Sequence, residues 1–367
     1  MSVNKTDCGF PIIKYRADQT PYEWGLEHGK QFKKSIHELV EIRKALMLAK
    51  NPKLENKLDE LAEAQANVTK QHLPLLWHEI EGIKDGAEVS LTDIVILNNY
   101  TDFRDIQLPE EGCTTAFVKR GNKAYVGQTW DMHSSAKDYL CILDIERTEH
   151  NPAMLVLSLV GCTGLMAINE YGVFLGVNNI NTHNAKAALI WPTLVRGTAN
   201  HATRIEAHEF LRNAPVTSGH NYILSDENFG GHYEVSPELF EPVAELDREG
   251  LIFHTNHCLG EKHKKREDEL AKNSTSQIRY DIVEKKKEEI QSANDLIALF
   301  RDHTNYPKSI CSHFQSGVQD PSMTCGSGVV DYPARKVCLW RGCPDYDDNF
   351  VEYWFDFPNS QSTFQRV

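Results

Sequence analysis

No apolar run in the 367-residue chain approaches the length of a membrane span, and the opening MSVNKTDCGFPIIKYRADQ has no apolar core of the kind a secretory signal carries. Together with an end, QRV, that matches no organelle or retention tripeptide, these absences predict a cytoplasmic protein with no membrane partner. Excess positive charge is missing too. The 39 Lys and Arg stand against 52 Asp and Glu, a formal net charge of −13, with the acidic residues spread through helical stretches. A phosphate backbone would find no basic footprint, so nucleic acid is not expected as a partner. The nine cysteines include no C-x-x-C pair and are odd in number, in a chain long enough to bury a large core. They are expected to be reduced and mostly buried. No cofactor or metal is expected either. HTNHC offers His254, His257 and Cys258, but a strand would turn 254 and 257 to opposite faces, and no acid triad accompanies them.

What is present is an ordinary globular composition, 41% hydrophobic and 25% charged. Residues 21 to 88 carry proline-bounded, charge-rich segments with apolar residues at helical spacing, such as Ile36, Leu39, Val40, Ile42 and Leu46. Ser90 ahead of Asp93 caps a further apolar run. From Cys113 the pattern changes to short β-prone runs, CTTAFV, AYVGQTW, LCILDIE, AMLVLSLV, LMAI and GVFLGVNNI, which read as antiparallel sheet. A helix is predicted at about 200 to 213, then the strands NYILSD, HYEVS, FEPVAEL and GLIFHTNH. The lysine-rich stretch from 261 reads as a solvated loop or helix face. Two helices follow, TSQIRYDIVEKKKEEIQ and ANDLIALFRDH, before the strands GSGVVDY, KVCLWRG and FVEYWFDF. There is no internal repeat. The class is α+β, built in layers.

Cys113 stands where the helical part gives way to the first strand, directly after Gly112. Two readings fit it. Free cysteines are among the most buried residue types, and on spacing alone an inert strand cysteine is favoured. The other reading is that Cys113 cuts the Gly112–Cys113 bond itself, by an N-to-S acyl shift followed by hydrolysis. Glycine at 112 adds no Cβ to obstruct that attack. The new α-amine, with an ordinary pKa of about 7.7 to 8.0, would then be a base beside its own thiol. CTTAFVKRGNKAYVGQTWDM reads as a hairpin turning at Gly121-Asn122, which sets Cys113 opposite Trp130 or Asp131. Asp131 would then lie near the new amine, or simply end a strand.

Several stretches together, PYEWGLEHGKQF, GIKDGAEVSLTDIVILN, GCTTAF with GQTWD downstream, GVFLGVNN, HTNHCL, YPKSIC and ARKVCLWRGCP, resemble the penicillin acyltransferase family of self-processing cysteine N-terminal-nucleophile (Ntn) hydrolases. The resemblance implies a four-layer αββα sandwich. It implies a helical pro-segment, residues 1–112, cut at Gly112–Cys113 and retained as the small partner of a heterodimer with the catalytic part, 113–367. Cys113 matches the nucleophile, and Asp131 the aspartate that organises the site. Asn256 matches an oxyanion-hole asparagine, and Asn178 a second polar donor, with Asn179 as the other register. A fixed amide N–H at such a place is worth about 3 to 4 kcal/mol of transition-state stabilisation. The implied substrate is a small N-acyl amine, cleaved or transferred through an acyl-thioester. One departure bears on specificity: Ser312 and His313 follow YPKSIC, where the penicillin-acylating members have arginine at the first position. Two alternatives remain at this stage, an uncut thiol hydrolase using His254 or His257 as base, and a non-catalytic binding protein that keeps the fold.

Overall fold

The computed structural model describes residues 7–99, 112–268, 274–313 and 322–358. The residues just before Gly112, the end of the lysine-rich stretch and the terminal QRV lie outside them.

The leading segment is mainly helical, as its periodicity predicts. Helix α1 (Pro21–Gln31) starts on a capping box in which Thr20 and Glu23 satisfy each other's backbone N–H groups, with Pro21 in the first turn. Helices α2 (Lys33–Lys50), α3 (Leu58–His72), α4 (Pro74–Ala87) and α5 (Leu91–Asn99) follow. The predicted cap is present: Ser90 Oγ accepts from Asp93 N at 3.1 Å and Ser90 N donates to the Asp93 carboxylate at 3.2 Å. Two G-x-x-x-G pairs bring α1 and α4 into backbone contact. A Cβ on Gly25 would lie 2.0 Å from the Glu79 carbonyl oxygen, and one on Gly82 2.1 Å from that of Tyr22. Only glycine fits there.

Among the described residues the strands form two sheets. The eight-stranded sheet runs in the order β1 (Ile12–Tyr15), β4 (Leu140–Ile145), β5 (Met154–Leu159), β6 (Met166–Asn169), β7 (Phe174–Asn179), β8 (His220–Ser225), β9 (Gly230–Ser236) and β10 (Leu239–Leu246). The six-stranded sheet runs β11 (Gly250–His254), β2 (Thr115–Arg120), β3 (Lys123–His133), β12 (Ser322–Asp331), β13 (Lys336–Arg341) and β14 (Val351–Asp356). Strands β2 and β3 touch β7, and β2 also touches β8 and β9, so the sheets meet there. Helix α6 (Trp191–Ala199) packs on β6 and β7, and α9 (Ala293–Phe300) on β3 and β12. Helices α7 (Arg204–Asn213) and α8 (Ser276–Lys286) are the others among the described residues. Alternation along β2 divides the interior. Phe117 enters the larger core shared by the sheets and leading helices, while Ala116 and Val118 enter a smaller one with Ile282, Val283 and Leu296 of α8 and α9.

Two elements differ from the sequence reading. Strand β1 pairs parallel with β4, so the sheet is not antiparallel throughout and the leading segment supplies one of its strands. Helix α6 has every one of its nine residues buried, Thr193 and Arg196 included, so its polar positions mark no solvent-facing stripe. Pro242 in β10 is tolerated because that strand closes the sheet at its edge, with a register shift at Pro242/Ala244.

Candidate active site

The hairpin of β2 and β3 pairs Arg120 with Lys123 and Thr115 with Gln128 across a two-residue turn, with Gly121 at φ +56°. Continued two residues, that register sets Cys113 opposite Trp130 and Gly112 opposite Asp131. On the other side of β2, strand β11 pairs His254 with Thr115, which carries Asn256 to the level of Cys113. The Cys113 N–H donates to Asn256 Oδ1 at 2.7 Å. Asn256 Nδ2 donates to the Asn179 carbonyl at 2.8 Å, and its backbone N–H to Ser276 Oγ at 2.7 Å.

A residue that the sequence reading missed ties these together. Arg279 of α8 is wholly buried and donates from Nη1 to the Cys113 carbonyl at 2.7 Å and to Thr114 Oγ1 at 3.0 Å, and from Nη2 to Asn256 Oδ1 at 2.7 Å. Its Nε donates to Thr275 Oγ1 at 3.1 Å. The signal was present in the sequence: the buried face of α8 is Ser276, Arg279, Ile282 and Val283, so an arginine sits in phase with an apolar stripe.

Asp131 is buried and accepts from Thr324 Oγ1 at 2.8 Å. Burial pushes its carboxyl up to about 6, against the pull of the Arg279 charge, of hydrogen bonds from Thr324 and Thr129, and of His313. Gly112 is clamped between the two charged groups. A Cβ there would lie 2.6 Å from Arg279 Nη2 and 3.1 Å from Asp131 Oδ2.

Asn178 on β7 reaches across the sheets to accept from Thr115 Oγ1 at 2.7 Å, and also accepts from Asn221 Nδ2 at 2.7 Å. Its own Nδ2 is buried with no acceptor among the described residues. The structure thus gathers Cys113, Asp131 and Asn256 around Arg279, with Asn178 one strand residue away through Thr115. His254 is committed elsewhere, its Nδ1 to the Thr255 carbonyl at 2.6 Å and its Nε2 to Glu234 at 2.9 Å. His257 is held by Ser276 Oγ at 2.8 Å, and burial pulls it down to about 4.

The acyl-coenzyme A:6-aminopenicillanic acid acyl-transferase family matches this chain over residues 118–340. That span holds Asp131, Asn178, Asn256 and Arg279 and begins just after Cys113. The acyl-coenzyme A:6-aminopenicillanic-acid-acyltransferase 40 kDa form of Emericella nidulans is 30% identical over 353 residues, 94% of this chain and 97% of that protein. The chain belongs to this acyltransferase family. It is an enzyme of an acyltransferase family. Solved structures with some likeness include a Caenorhabditis elegans N-acylethanolamine-hydrolyzing acid amidase ortholog, at 14% identity and TM-score 0.41 over 67% of this chain and 100% of that one. A mutant form of the conjugated bile acid hydrolase of Clostridium perfringens, at 11% identity, has TM-score 0.42 over 70% of this chain and 96% of that one. No helix among the described residues is long and apolar enough to cross a membrane.

Proposed function

We propose that this family member is a self-processing cysteine Ntn amidohydrolase or acyltransferase that acts on small N-acyl amines. The observation that carries the reading is the clamp on the Gly112–Cys113 bond, with the Cys113 N–H on Asn256, the Cys113 carbonyl on Arg279, and no room for a side chain at 112. Cys113 Sγ attacks the Gly112 carbonyl carbon, and the C–N bond breaks as the thiol proton passes to the departing amine. Water then cleaves the thioester, leaving a Gly112 carboxylate and a free Cys113 with thiol and α-amine. In the mature enzyme the same thiol attacks the substrate amide, its α-amine takes and returns the proton, and the acyl group passes to water or an amine. Asn256 and Asn178 are the donors for the oxyanion, and Asp131 orients the α-amine.

The contacts of α6 with one sheet, of the sheets with each other and of α9 with the second support a four-layer αββα sandwich. The division into a 1–112 pro-segment and a 113–367 catalytic part follows from the proposed cut. The engagement of both His254 nitrogens argues against His254 as the base of an uncut Cys/His hydrolase. The test is intact mass and N-terminal sequencing of purified protein beside a screen of N-acyl amines, penicillins and β-alanyl conjugates. Two chains, the larger beginning CTTAF, support the reading; a full-length chain that turns over substrate would sink it.

Gly112→Val should slow cutting by two orders of magnitude or more, because the new Cβ must displace an arginine held by four hydrogen bonds. A time course of the uncut fraction measures this; cutting at the wild-type rate would refute the steric role.

Asp131 sets a pH dependence in the uncut chain. Its folded-state value of about 6 stands above the ordinary 3.8, so the native chain holds a proton that the unfolded chain gives up. This contribution favours folding fully below the ordinary value and is lost as pH rises through about 6. The groups facing it are Arg279 from α8, Thr129 from β3, Thr324 from β12 and His313 from the loop after α9. In a Cys113→Ala background, Asp131→Asn should remove this downward slope between about pH 4 and 6. Thermal melts across that range are the measurement.

A further inference from the structure

Outside the site just described, two clusters of potential metal ligands occur among the described residues. The first, Glu234, Glu241 and His263, is already satisfied. Its carboxylates accept from the backbone N–H groups of Leu259, Gly260, Lys262 and His263 and from His254. The second is different in kind. His303, Cys311, His313 and Cys343 turn one ligand atom each into a space where all four lie within 4.8 Å of one another.

Cys311 and Cys343 are buried and free, and His313 is 9% exposed. Cys311 Sγ is 3.4 Å from His313 Nε2, Cys343 Sγ is 3.4 Å from His303 Nε2, and the two Nε2 atoms are 3.4 Å apart. A nitrogen pair at that distance is long for a hydrogen bond. It suits a tetrahedron: Zn–N bonds of about 2.0 to 2.1 Å and Zn–S bonds of about 2.3 Å give an N–N edge of about 3.3 Å and an S–N edge of about 3.6 Å. The outer contacts fit as well. His303 Nδ1 faces the Asp345 carboxylate at 3.4 Å, the carboxylate–histidine arrangement that fixes a metal-bound imidazole with Nε2 as ligand. Tyr306 and Tyr346, stacked on each other at 5.2 Å, each lie against both imidazoles.

We infer that His303, Cys311, His313 and Cys343 form a structural site for a borderline divalent cation, zinc by ligand set. Two thiolates and two neutral imidazoles close the tetrahedron, leaving no open position for catalysis; the two thiol protons leave to solvent as the ion binds. The site joins the loop after α9 to the turn after β13. It also reaches the active site. Ser312, between two ligands, donates its N–H to Thr324 Oγ1 at 2.8 Å and accepts from Thr324 N at 2.9 Å, and the same hydroxyl holds Asp131. The ion is thus a positioning device for Asp131, independent of whether the chain cuts itself.

The full chain, purified under thiol reductant without chelator, is expected to hold about one equivalent of zinc by elemental analysis. Reconstitution with cobalt should give thiolate charge-transfer bands and the strong visible bands of a tetrahedral ion. Cys343→Ser and His303→Gln should lose both signals. Asp345→Asn, at an exposed side chain, should weaken metal affinity by about 10 to 100-fold while leaving the cobalt spectrum tetrahedral. The inference is overturned if reduced wild-type chain takes up neither ion, if cobalt binds without thiolate bands, if Cys343→Ser keeps its zinc, or if Cys311 and Cys343 are found joined as a disulfide in reductant.

Discussion

Cys113→Ala should leave the chain in one piece and lower turnover of any N-acyl amine substrate on the order of 10⁶-fold, the scale of loss when a hydrolase is stripped of its nucleophile. Both effects have one cause. In the proposed mechanism the thiol that opens the Gly112–Cys113 bond is the thiol that later carries the acyl group, so its removal blocks maturation and chemistry together. Folding should be nearly untouched, because the change deletes one small buried atom, about 1 kcal/mol at most, and keeps the N–H to Asn256 and the carbonyl to Arg279. Cys113→Ser separates the two roles. Its hydroxyl can perform the same shift more slowly, and a cut chain beginning with serine but with little turnover is the expected product. Mass spectrometry and substrate assays on the three proteins suffice. Wild-type turnover by Cys113→Ala would remove Cys113 from the mechanism altogether.

Arg279→Met should be the most destabilising single change near the site, by about 3 to 5 kcal/mol, the cost of breaking one side of a buried charge arrangement. Four acceptors lose a donor at once: the Cys113 carbonyl, Thr114 Oγ1, Asn256 Oδ1 and Thr275 Oγ1. Asp131 loses the positive charge that opposes its burial, so its carboxyl should rise further. Arg279→Lys keeps the charge but has no planar fork to span these acceptors, and should recover part of the stability with little of the cutting. Urea titration at fixed pH in the Cys113→Ala background reads the stability term free of processing. If Arg279→Met unfolds at the same denaturant concentration as its parent, the guanidinium is not the keystone its contacts describe.

Arg279 also shows where sequence reading stops. The hairpin was legible because a Gly-Asn turn between alternating runs has few geometries, yet its register was open by one residue until Arg120 paired with Lys123. Asn256 was legible through its motif, and its alignment with Cys113 follows from the β11–β2 register. Arg279 lies 166 residues from the carbonyl it holds, and nothing local marks it except an arginine in the apolar phase of α8. Two elements were hidden for opposite reasons. Strand β1 is four residues long and takes its identity from β4, far along the chain. Helix α6 is only nine residues long and buried all round, Thr193 and Arg196 included, so its polar positions mark no solvent-facing stripe. The cysteine and histidine cluster follows no spacing rule, with His303 and Cys343 40 positions apart. Only folding brings them together.

The parallel strand Ile12–Tyr15 gives the proposed cut an odd character. A leader that merely covered a site could drift away once severed, but this one is hydrogen-bonded into the sheet of the part it would be severed from. Loop closure that was intramolecular before the cut becomes a meeting of two molecules after it. The uncut chain can find its fold at any dilution, whereas the matured pair, once denatured, must collide to rebuild a shared sheet. Maturation of this kind would turn a reversible folder into an object that can be assembled only once.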